Sequence, residues 1–294
     1  MHQYIKAIGF EDVCSKKDFI HILKEVEESY SQQTIVSYEK NVDYCEMRRE
    51  YGQDIGISVC GELDDDDVFD MEYYFPYFNS SEISLLTEVS VEKKWDREQY
   101  TGVCEDPRLG ISLIFSVQNG IEVVRKNLKN FKNHKIAVKL SGLSLSGMIL
   151  LPVHKSESQQ RNANEASRNR RKLVTAARNG DQRAIESLTL DDMTIYTSVS
   201  QRLVTEDVLT IIDTYFMPYG ADCEVYSILG EILAVREREN VVTHKKLYQM
   251  KINANELIFD ICIPKERLFG EPEIGRRFKG EIWLQGALDF SRFK

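Results

Sequence analysis

The residues best suited to chemistry lie near the C-terminus, in Gly270-Glu-Pro-Glu-Ile-Gly-Arg-Arg-Phe-Lys-Gly-Glu-Ile-Trp-Leu-Gln-Gly286. A Gly/Pro loop here feeds a basic strand. With a period of two, Phe278, Gly280, Ile282 and Leu284 share one face, and Lys279, Glu281, Trp283 and Gln285 the other. Arg276 and Arg277 flank the strand. An indole beside cationic and amide groups stacks on a base, a sugar or a partner's aromatic ring, so Arg276, Arg277, Lys279 and Trp283 form a candidate binding face. The competing reading is that Trp283 is covered by another part of the chain, because long apolar residues on an outer sheet face usually mark a second packing layer.

A second basic group, Arg168, Arg170, Arg171 and Lys172, has Lys155, Arg161 and Arg178 nearby. It reads either as an anion or nucleic-acid contact or as a solvated helix face. The acidic run Glu62–Asp70 lacks the alternating ligands and glycine of a calcium loop and reads as a hairpin tip in water. The five histidines (His2, His21, His134, His154 and His244) show no metal-binding grouping. The six cysteines, Cys14, Cys45, Cys60, Cys104, Cys223 and Cys262, have no CxxC spacing and read mostly as small core residues. No serine elbow, P-loop or dinucleotide fingerprint occurs. Carboxylates such as Glu231, Asp260 and Glu281 could pair as acid and base across the C-terminal sheet. No cofactor or metal is implied.

The bulk numbers narrow the classes. A length of 294 residues favours two domains, and 42% hydrophobic with 29% charged residues is an ordinary globular composition. A net charge of −9 disfavours a dedicated nucleic-acid binder. The start of the chain does not read as a signal peptide, and apolar runs such as Ile111–Val117 are too short to cross a bilayer, so no membrane association and a cytoplasmic location are expected.

Several elements must position these residues. A helix is predicted over Lys16–Tyr30, capped by Ser15 and Asp18, with Cys14 and Phe19 as a staple and Phe19, Ile22, Leu23, Val26 and Tyr30 on one stripe. Period-two runs around Ile55–Val59, Val89–Val91, Ile111–Val117 and Ile136–Met148 predict an antiparallel sheet ending near Pro152. The aromatic run Met71–Phe78 contains Pro76, which argues against a continuous central strand. A polar stretch from His154 leads into helices: Gly180 is a C-cap, Asp181 an N-cap, and Thr189 and Thr205 further N-cap candidates. The apolar residues from Val208 to Phe216 predict one more helix. Strands over Tyr226–Val235, Leu247–Ile252, Leu257–Ile263 and Phe278–Leu288 suggest a small barrel or bent sheet.

Three phrases carry a resemblance: Gly-Ile-Ser-Leu-Ile-Phe at 110–115, Asp-Thr-Tyr-Phe-Met-Pro-Tyr-Gly at 213–220, and Gly-Glu-Pro-Glu-Ile-Gly-Arg-Arg-Phe-Lys-Gly at 270–280. Here the chain resembles an uncharacterised bacterial domain-of-unknown-function family of about this length, chiefly from anaerobic Gram-positive bacteria. The resemblance runs over nearly the whole chain and implies a bacterial cytoplasmic protein. It brings no activity, cofactor or catalytic residue.

The expectation is therefore an α+β protein in three parts: a helix-plus-antiparallel-sheet domain over 1–153, a basic linker and helical connector over 154–217, and a small β-barrel-like domain over 218–294. The expected role is non-catalytic binding of a macromolecular partner, a protein ahead of nucleic acid, through the C-terminal β domain. Weak single-stranded nucleic-acid binding and a carboxylate-based hydrolase or transferase are the alternatives.

Overall fold

A computed structural model describes residues 2–13, 15–39, 42–66, 68–95, 99–126, 135–153, 157–202, 204 and 207–291. Cys14, Asp67, His134, His154, Lys155 and Thr205 lie outside them. The chain is α+β. It opens with a 3-10 helix, Gln3–Ile8, and continues through α1 (Lys16–Glu28), β1 (Gln32–Glu39), β2 (Val42–Gly52), β3 (Ile55–Leu63), β4 (Phe69–Phe78), β5 (Leu85–Lys93), β6 (Tyr100–Asp106), β7 (Ile111–Val117), α2 (Gly120–Lys126) and β8 (Lys135–Leu150). Then follow α3 (Glu157–Arg178), α4 (Gln182–Arg202), α5 (Val208–Ile211), β9 (Tyr215–Pro218), β10 (Val225–Glu239), β11 (Lys246–Ala254), β12 (Leu257–Pro264), β13 (Leu268–Phe269) and β14 (Arg277–Asp289).

The cap of α1 forms as its sequence dictates. The Ser15 side chain accepts a hydrogen bond from the Asp18 amide at 3.1 Å and donates one to the Asp18 carboxylate at 2.6 Å. Phe19, Leu23 and Val26 are buried, whereas Tyr30 lies beyond the helix and is exposed.

β1–β4 make one antiparallel sheet. The other strands make a second sheet whose spine is a long antiparallel ribbon, with β8 paired to β14 from Ala137↔Asp289 to Leu150↔Arg277. The ribbon is shared by two closed circuits of strands. One runs β8-β5-β6-β7-β14, and the other β8-β12-β11-β10-β14. The closing pairs β12–β8 and β7–β14 are parallel, and the rest of both circuits is antiparallel.

This pairing corrects the expected layout. The sheet crosses both proposed boundaries, at 153 and at 218, so the N-terminal strands β5–β8 and the C-terminal strands β10–β14 are not separate sheets. Sixteen residues of β8 would otherwise leave half a strand of amides and carbonyls without partners, and β14 supplies them.

Two cores follow. One fills the interior of the circuits with Phe115, Phe259, Phe278, Ile228 and Leu284. The other lies between the outer side of the ribbon and the first sheet, sealed by the 3-10 helix and α1. A buried amide relay joins the layers. The Gln118 side chain donates to the Phe78 carbonyl at 2.8 Å and to Gln285 Oε1 at 2.9 Å, and Gln285 Nε2 donates to the Pro76 carbonyl at 2.8 Å.

Three further expectations change. β4 runs through Pro76, which is tolerated because β4 is the edge of its sheet. Thr189 sits inside α4, its hydroxyl donating to the Ile185 carbonyl at 2.9 Å, and caps nothing. The run from Val208 is helical for only four residues. Tyr215 and Phe216 then extend to pair with Leu229 and Ile228, because Phe216 fills the circuit core.

Candidate interaction surface

The α3–α4 hairpin is written into a few residues. Gly180 takes φ +88°, which glycine adopts without Cβ strain, and the Gly180 and Asp181 amides donate to Ala177 O and Ala176 O. Asp181 Oδ1 then accepts from the amides of Arg183 at 2.9 Å and Ala184 at 3.3 Å, starting α4. The small buried Ala184 lets the helices approach.

The hairpin rests on the sheet through polar contacts. Arg170 pairs with Asp192 across the hairpin at 2.8 Å. Arg171 reaches Glu256 at 2.9 Å, Ser167 bonds the same carboxylate, and Arg178 meets Glu105. Glu256 sits in the two-residue turn Asn255-Glu256 between β11 and β12, with φ 50° and 66°, the left-handed geometry of a tight hairpin turn. Between hairpin and sheet lies a cavity of about 850 Å³, lined by Arg108, Ser167, Arg170, Asp213, Glu231 and Asn253 among others.

At about 100° per residue, α4 has two unlike sides. Ala184, Leu188, Asp191 and Ile195 share the side towards α3 and the cavity. The opposite side carries Ile185, Leu190, Met193 and Tyr196, exposed by 40%, 65%, 64% and 76%. Between Ile185 and Ser200 this outer side carries Glu186, and Asp192, paired with Arg170 at 2.8 Å, stands at its edge beside Ile185. Thr189 and Thr197 lie there too, but their hydroxyls donate to their own helix, at Ile185 O and Met193 O. The face is therefore more apolar than its composition suggests. Isolated exposed apolar residues are commonplace, but a contiguous apolar helix face on a charged protein marks an interaction site.

The sequence-derived candidates are placed elsewhere. Trp283 is only 4% exposed, its ring stacked on Tyr4 at 5.4 Å and lying 4.4 Å from the His2 imidazole. Strand alternation does hold: Phe278, Ile282 and Leu284 enter one core and Trp283 the other. The outer face is nevertheless closed, because the N-terminal 3-10 helix and the first sheet cover it. The His2 pKa falls to about 4, because burial disfavours the imidazolium and Lys94 repels it.

Arg277 is buried too. Its guanidinium donates to the carbonyl oxygens of Leu151 at 3.0 Å, Leu209 at 2.9 Å, Ile212 at 2.9 Å and Asp213 at 3.3 Å, which ties α5 and the approach to β9 to the end of the ribbon. Burial lowers its pKa, and the Asp213 charge opposes the shift. Arg276 folds back on its own loop, to Glu273 at 2.8 Å and the Glu271 carbonyl at 2.9 Å. Lys279 is half-buried on β14. These four residues do not share an open face.

In the second basic group Arg170 and Arg171 are ion-paired, while Arg168 and Lys172 are exposed. Glu231, Asp260 and Glu281 do not converge. Glu231 borders the cavity under the hairpin, and Glu281 is exposed near Tyr219. Asp260 accepts from Ser80 at 2.7 Å, and burial raises its pKa.

Sequence reasoning missed Ile185, Leu190, Met193 and Tyr196. A signal was present, since α4 carries two apolar stripes rather than one, and a helix apolar on two sides packs in two directions.

Fold and surface define an α+β protein whose shared strand ribbon carries a helical hairpin with an unpartnered apolar face. The family described as a domain of unknown function named from E. rectale (DUF3881) matches residues 5–286, and the chain belongs to it. No curated protein and no solved structure matches the chain. No helix among the described residues is long and apolar enough to cross a membrane.

Proposed function

We propose that this protein is a non-catalytic interaction protein of the cytoplasm that binds a protein partner through the outer face of α4. The two strand circuits act as small barrels sharing β8 and β14, a rigid base for the hairpin. The observation that carries this reading is the exposed Leu190–Met193–Tyr196 group. Apolar contact surface of this kind suits a protein better than a phosphate backbone, which needs unpaired cations.

The single-stranded nucleic-acid alternative loses support from the burial of Trp283 and the pairing of Arg170 and Arg171. The hydrolase or transferase alternative loses support from the separation of Glu231, Asp260 and Glu281.

The test immobilises the wild-type chain and a Leu190→Asp/Met193→Asp variant and compares the proteins each retains from a bacterial extract to which soluble wild-type chain has been added. The variant is expected to fold, by circular dichroism, and to lose the retained species. Retention on the wild type should survive high salt. Identical retention by both chains, or retention that disappears with salt, overturns the reading.

A further inference from the structure

We propose that the partner of the α4 face is a second copy of this chain, the two α4 helices packing antiparallel about a twofold axis. This rests on the interaction reading of α4 and goes beyond it by naming the occupant. Three observations favour self-association.

The first is area. At their observed exposures, Ile185, Leu190, Met193 and Tyr196 leave on the order of 500 Å² of surface per chain, so two copies bring roughly 1,000 Å² together before any rim is counted, about the minimum for a specific interface. The second is architecture. α4 is covered on one side by α3 and is open and apolar on the other, which leaves room for one further antiparallel helix, and the α4 of a second copy brings a matching apolar side.

The third is charge. An axis near residue 191 sets Met193 against Thr189 of the partner subunit and Glu186 level with Tyr196 of the partner subunit. It holds the two Glu186 carboxylates about 15 Å apart along the helices, beyond the ~8–10 Å screening length. A parallel pairing would set Glu186 against its own copy, and the antiparallel arrangement avoids this repulsion. Asp191 borders the cavity, and Asp192, at the edge of the face beside Ile185, has its charge paired with Arg170. A closed twofold contact also consumes the face on both copies and leaves none to propagate a fibre.

The test is sedimentation velocity of the full chain from roughly 1 to 100 µM, the range in which a modest dimer interface dissociates. The wild type is expected to shift from 34.0 kDa towards twice that mass as concentration rises. Met193→Asp, which enters the contact twice, should raise the dimer dissociation constant at least about tenfold. A second measurement does not depend on that variant folding. In a background with Cys14→Ser and Cys223→Ser, which removes the exposed thiol of Cys223, Thr189→Cys should be joined between chains by a short bismaleimide. Lys172→Cys, on the exposed side of α3, should not.

A wild-type chain that stays at 34.0 kDa throughout, or equal cross-linking at both positions, overturns the proposal. If such a monomer still loses a different protein on Leu190→Asp/Met193→Asp, only the second copy falls and the interaction reading stands.

Discussion

Replacing Trp283 by alanine separates a structural ring from a contact ring. The indole is almost fully buried against Tyr4 and His2. A ring of this size removes roughly 200 Å² from water, or about 5 kcal/mol at ~25 cal/mol per Å², and its aromatic pairs add about 1 kcal/mol. Settling of the 3-10 helix into the gap recovers part of this, so Trp283→Ala should cost about 4 kcal/mol, within the usual range for core Trp truncation. Total stabilities are of order 5–15 kcal/mol, so the effect is large. Urea unfolding followed by far-UV circular dichroism should show the midpoint lowered by more than about 1 M, taking a slope near 3 kcal/mol per M. Trp283→Phe keeps much of the stack and should cost less than half as much. Fluorescence supplies a control: Trp95 is 96% exposed, so in a Trp95→Phe chain the remaining emission should be that of a ring in apolar surroundings. An unchanged midpoint, together with water-exposed emission, would refute the structural role and reopen β14 as a docking strand.

Two more outcomes follow from the same geometry. Arg277→Met removes a guanidinium that serves four backbone carbonyls, so it should cost about 2–4 kcal/mol and speed hydrogen exchange across 207–218 before the neighbouring β10 and β11 are affected; unaltered protection there would show that the tether carries no load. His2, with its folded pKa lowered to about 4 from an ordinary 6.5, binds its proton more readily unfolded, so its contribution is whole above pH 6.5 and is lost as pH falls from 6.5 towards 4, by at most about 3 kcal/mol; His2→Phe should flatten that acid limb, and an unchanged limb would place the effect elsewhere.

Local chemistry was legible where it is decided locally. Ser15 and Asp18 start α1, Gly180 and Asp181 turn α3 into α4, and the alternating residues of Ile111–Val117 and Ile136–Met148 make strands, because each signal lies within a few residues of the element it sets. β1 and β2 escaped detection. Their cross-strand pairs, such as Thr34 with Glu46 and Arg48 with Ser58, are polar, and their burial comes from α1, α2 and the second sheet. On β14 the consecutive Ile282-Trp283-Leu284 was the available clue, since three apolar residues in a row mean that both faces of a strand are covered.

By itself the sequence determined the α+β class, most strand positions, the helical hairpin and the direction in which each side chain of β14 turns. Only the tertiary structure decided what meets those side chains. Strand alternation fixes that Trp283 and Ile282 point apart, but not that Tyr4 and His2, more than 270 residues earlier in the chain, close over the indole. Nor can local pattern join β8 to β14, because backbone pairing carries no residue code and its register is set by the cores on either side. The same long-range packing buried the candidate face on β14 and left the outer side of α4 open.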